Sequence, residues 1–138
     1  MPSFEAMHNT IRGRVKAAAL AAVSGGLPVC YDNDQKQPPA AGLWARATIV
    51  NGDTAKIEAD TAGTRRRTGV LILQVFDDVS RGDARVLQAI DGLISYFDHV
   101  EVSGVVFRTP SVGPGGKSDG QYRRNLTCPW FADQNDGA

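Results

Sequence analysis

The chain has 138 residues, of which 42% are hydrophobic and 22% charged, and 15 Lys and Arg side chains are balanced by 15 Asp and Glu. That length is expected to fold as one domain and to bury roughly two-thirds of its unfolded surface, enough for a core without metals or staples. Electroneutrality, with an isoelectric point near 6.7, argues against a dedicated duplex binder, and no apolar run approaches the roughly 18 residues of a membrane span.

Phe4, Met7, Ile11, Val15, Ala18 and Ala22 recur at helical spacing. Ser3 can cap that stripe, Glu5 complements the helix dipole and Gly25-Gly26 can end it, so a helix is predicted over about 4–23, with Gly13 in its middle. The segment RGRVKAAALAAVSGG (12–26) has the outline of a secretory leader. Its apolar centre, Ala17 to Val23, is short and mostly alanine, and Glu5 lies in what would be the basic region, so the helix reading is preferred.

LPVCYDNDQKQPPAAG (27–42) predicts a short strand and a Pro-rich connection, and LWARATIV (43–50) alternates as a strand with two distinct faces. Asn51-Gly52-Asp53 predicts a turn, after which TAKIEAD (54–60) returns as a weak, edge-like strand. TAGT then loops into Arg65, Arg66 and Arg67. RTGVLILQVFDD follows as the clearest strand, its continuous apolar character pointing to a central position covered on both faces.

From Asp83 onward Val86, Leu87, Ile90, Leu93, Ile94 and Phe97 form a second stripe, a helix over about 82–97. HVEVSGVVFRTP (99–110) reads as a strand ended by Pro110, SVGPGGKSDG as a flexible connection, and QYRRNLTCPWF (121–131) as a final alternating strand. The expected whole is an α+β domain over 1–131. Its mixed or mostly antiparallel sheet of about four to six strands packs with two helices, and 132–138 form a disordered tail.

Chemistry-bearing motifs are weak. SVGPGGKS (111–118) approaches a phosphate-binding loop, but Ser111 replaces its first glycine and a strand, not a helix, follows. Asp77 and Asp78 are adjacent on a strand and so point to opposite faces; a solvated turn toward the second helix is the expected setting. His8 and His99 are the only histidines, and Cys30 and Cys128 show no ligand spacing. Two reduced, packed thiols are expected, with no catalytic residue, metal or cofactor. That leaves Arg65, Arg66 and Arg67, and the pair Arg123 and Arg124. A modest cluster of this kind becomes a strong ring of charge when repeated around an oligomer.

The order RRTGVLILQVF, a short acidic turn, SRGDARVLQAIDGLISYF, VVFRTPSVGPG and DGQYRRNLTCPWF resembles the tail terminator-like proteins of long-tailed bacteriophages and prophages. TPSVGP followed by DGQY carries most of the likeness, with Gln121 standing where the family usually places an aromatic. The resemblance implies a non-enzymatic structural protein of the virion tail, assembled in the host cytoplasm. It implies a homo-oligomeric ring, a hexamer, on the head-proximal end of the tail tube, which stops tube polymerisation and offers the head–tail joining surface. Its partners would be itself, the tube protein and a connector or neck protein, with no membrane. On this reading the 61–67 and 111–120 loops are the candidate contacts, and Arg65, Arg66, Arg67, Gly113, Lys117 and Arg123 the residues to watch. Non-specific contact with DNA in the lumen is a further expectation. A neck or head–tail completion protein, and a small DNA-binding regulatory domain, are the alternatives.

Overall fold

The computed structural model describes residues 3–32, 39, 42–56, 64–79, 83–118 and 120–135. Helix α1, Phe4–Ala22, starts where Ser3 Oγ accepts a hydrogen bond from the Ala6 N–H at 3.1 Å. It ends at Gly25 and Gly26, whose φ angles of 85° and 90° let Leu27 N–H bond back to the Ala19 carbonyl. Helix α2, Ala84–Ile94, is shorter than its stripe predicts. Tyr96 and Phe97 donate to the Leu93 and Ile94 carbonyls, i to i−3, so the chain tightens into turns while Phe97 remains buried.

Among the described residues the strands are β1 (Val29–Tyr31), β2 (Trp44–Lys56), β3 (Thr64–Asp78), β4 (Glu101–Val102), β5 (Val105–Phe107), β6 (Ser111–Val112), β7 (Gly116–Ser118) and β8 (Gln121–Asn135). They form one sheet in the order β1-β2-β3-β8-β5-β4, with β6 and β7 also paired to β8. Only β1–β2 is parallel, so the α+β class with a mixed, mostly antiparallel sheet holds, with eight strands rather than four to six. The added strands are short pieces that the long β8 collects along one edge: β7 at its start, β6 in its middle, β5 toward its end.

Three expectations are corrected here. The predicted turn at Asn51-Gly52-Asp53 is absorbed as a register shift within β2, because the 15-residue β3 is long enough to pair on both sides of it. The segment 111–118 is not a free connection, since the β6 and β7 backbones are tied into the β8 ladder and Gly113 N–H donates to the Asn125 carbonyl at 2.8 Å. Strand β8 continues through 132–135, assigned above to a disordered tail, because β3 pairs with it as far as Thr64↔Asn135; residues 136–138 lie outside the described residues.

Strand β3 is central, and among the described residues both helices pack against the same one of its faces. Leu71, Leu73 and Val75 are buried with Met7, Ile11 and Val15 of α1 and Val86, Ile90 and Leu93 of α2. Burying each such side chain contributes roughly 1.5–3 kcal/mol. Val70, Ile72, Gln74 and Phe76 on the other face are only partly buried, and Val50 across from Val70 is 44% exposed. The two helices therefore lie on one side of the sheet. Gly69 sits within β3 because the indole of Trp130, its cross-strand partner on β8, occupies the space a Cβ would take.

Candidate interaction surfaces

The arginine run is strand, not loop: Arg65, Arg66 and Arg67 are consecutive in β3. Alternation therefore separates them. Arg66 points to the open face, where it makes a bidentate pair with Asp133 (Nε–Oδ1 2.7 Å, Nη2–Oδ2 3.0 Å). Its hydrogen bonds to Asp133 hold the guanidinium more firmly protonated than usual. The Arg66 and Arg108 guanidiniums both lie against the Phe131 ring, 4.2 Å and 4.6 Å from its centroid. Arg67 turns to the helix face and covers the Phe4 ring at 4.3 Å. Arg65 shares that side by alternation and is exposed.

The other expected contacts gather at the far end of the β3–β8 ladder. Arg123 pairs with Phe76, ten residues along β3 from Arg66, a distance of roughly 33 Å. Arg123 is half-buried on the open face, and its Nε makes no hydrogen bond among the described residues. Gly113 lies beside Asn125, and Lys117, exposed, pairs with Tyr122. The six singled-out residues are thus two groups, not one patch.

The same end holds a polar cluster that the sequence reading missed. Arg124, on the helix face, donates from Nε to the Tyr122 hydroxyl at 2.9 Å and from Nη1 to the Gly113 carbonyl at 3.2 Å. Its Nη2 meets Asp83 Oδ2 at 3.4 Å. The Tyr122 bond first, then Asp83, raises the affinity of this guanidinium for its proton. Asp83 is consequently drawn away from capping α2 and makes no side-chain cap bond. Asp77, expected in a solvated turn, is instead fully buried, and is the one charged residue so placed among the described residues. One of its oxygens accepts from the Asp78 N–H at 2.8 Å and the other faces Arg85 Nε at 3.5 Å. The Tyr122-x-Arg124 spacing, two residues on one strand face, was the available signal.

Chemically, these clusters hold charges in pairs and fasten strands to α2. His8 Nε2 is bonded to Asn51 Oδ1 and His99 Nε2 to Thr109 Oγ1, at separate places. Among the described residues no group of three or more His, Cys, Asp or Glu side chains is placed to hold a metal ion, and no helix is long and apolar enough to cross a membrane. Burial pushes the Cys128 thiol up to about 12.

The class these features define is a sheet scaffold, helices on one face and partly buried apolar and arginine side chains on the other, that presents surfaces for contact. The chain belongs to the phage tail terminator protein family, whose model matches residues 6–130. It is accordingly a structural protein of the phage tail and virion. One solved structure shares the fold at 24% identity over 97% of both chains, with a TM-score of 0.72. Another, from the virion of a native gene transfer agent particle, is 17% identical over 93% of this chain and 95% of its own, with a TM-score of 0.62. No curated protein matches the sequence significantly.

Proposed function

We propose that the protein is a non-catalytic terminator that assembles as a homo-hexameric ring on the head-proximal end of the tail tube, stops tube polymerisation and presents the surface to which the head is joined. The family match over residues 6–130 carries this reading. The one-sided packing of the helices supports it, because a subunit covered on one sheet face can turn the other toward a shared axis. Arg66 and Arg123 of that open face are assigned to non-specific contact with DNA in the lumen. Gly113, between β6 and β7, and Lys117, in β7, are assigned to contacts with the tube or connector. Arg65 and Arg67, on the helix face, are likewise assigned to contacts with the tube or connector.

Tail length measured by electron microscopy in lysates of a phage lacking this protein tests the reading. Abnormally long, headless tubes are the expected result. Tails of normal length detached from full heads would move the function to the neck joint, and unchanged virions would end it.

A further inference from the structure

A groove of about 440 Å³ runs between α1 and β1, with Leu27 and Val29 in its floor, Gly13 and Leu20 in its wall, and Arg12 and Lys16 at its rim. Two observations indicate that it receives something. Leu20 is 65% exposed, the most exposed large apolar side chain among the described residues. Gly13, a poor helix former in the middle of α1, has nothing within 4 Å of where a Cβ would stand. Gly92 makes the contrast: its missing Cβ would stand 2.8 Å from Ala22 Cα, so the approach of the two helices requires that glycine. No such packing requirement acts on Gly13 within the subunit, and a larger side chain there would narrow the groove.

The groove lies beside β1, at one edge of the sheet. The opposite edge, roughly 24 Å away by five strand spacings, is β4. Strands β4 and β5 form a hairpin whose two turn residues, Ser103 and Gly104, both have positive φ (48° and 86°), the geometry of a tight type I′ turn. Next to that turn stand Glu101, exposed, and its cross-strand partner Val106, partly buried and on the same face, while Val102 turns to the subunit's own core. One edge thus carries an apolar groove with a cationic rim, and the other a narrow projection with an apolar residue and a carboxylate.

We infer that the β4–β5 hairpin of one copy seats in the α1–β1 groove of the next, with Val106 against Leu20 and Glu101 between Arg12 and Lys16. This rests on the ring reading above and supplies its subunit contact. The two surfaces are different, so the contact is head-to-tail, the kind that closes into rings. It also leaves one sheet face toward the axis and the helix face outward.

The full-length protein and its variants are compared by size-exclusion chromatography with light scattering. Arg12→Glu together with Lys16→Glu sets the hairpin carboxylate against a negative rim, and Glu101→Lys alone sets a cation against a positive one. Each is expected to weaken association at least about tenfold. Mixing the rim variant with Glu101→Lys, or combining all three changes in one chain, restores opposite charges at every contact and is expected to restore assembly. Gly13→Trp should abolish it while its melting temperature stays near that of the wild type. Gly13→Ala controls for the backbone and should melt at or above the wild type. Oligomers unchanged by all of these variants would overturn the hairpin contact and leave the ring to form through another surface. A wild type that stays monomeric throughout would also overturn it, and the cap reading would then stand or fall on tail length.

Discussion

Cys128 shows how far burial alone sets the chemistry of a side chain. It lies under Leu71 of β3, its cross-strand partner, and is fully buried. Taking a thiolate out of water is unfavourable, and the thiol is pushed from 9.0 in the open chain up to about 12. The folded state therefore holds this proton more tightly than the unfolded state. That contribution is complete below pH 9 and is lost as pH climbs through 9 toward 12. With both cysteines free and buried, a thiol reagent at pH 8 should find none in the native protein and two after unfolding. Stability to denaturant should fall on the alkaline side in the same window. Rapid modification of the native protein at pH 8 would contradict this burial.

At the scale of elements, Gly69→Ala is the informative change. Its methyl group would meet the Trp130 indole and the Val50 carbonyl, so either the ring or the β2–β3 pairing must shift. A loss of roughly 1–3 kcal/mol is expected from such overpacking, measured as a lowered denaturation midpoint. Both helices were legible from period and caps, because α1 and α2 each bury one stripe and their stop signals are local. Strand β3 was legible as a strand, but VLILQVF reads alike whether one face is covered or two, and only the packing of α1 and α2 on the same side decides between them. The turn at Asn51-Gly52-Asp53 and the loop at 111–118 were misread for a shared reason. Turn-rich sequence becomes ladder when a distant long strand supplies hydrogen bonds, here β3 and β8. The arginines were visible as a cluster. Their division between faces follows from alternation once β3 is seen to begin at Thr64, whereas the Asp83–Arg124 contact needs the fold.

For the whole molecule, neutrality conceals an arrangement by edge and face. Cations line the groove beside β1, carboxylates stand at Asp98 and Glu101 near β4, and arginines sit at both ends of the open face. Copies with no net charge can crowd together without mutual repulsion, while local charges choose which edges meet. Tail-length measurement and the charge-exchange experiment act at this scale, one on the cap and the other on the contact between copies.

The sheet also carries two tryptophans on opposite faces. Both are buried: Trp130 against the helices, and Trp44 on the other face, where it stacks on Phe76 at a centroid distance of 4.3 Å with Arg46 nearby. Each face therefore owns an intrinsic fluorophore. In a Trp130→Phe variant, the remaining emission comes from the open face alone. Its intensity should change when tube, DNA or another partner presses on that stack, and hold steady when contact is confined to the sheet edges. The protein can thus signal, without any attached dye, which of its surfaces has been covered during assembly.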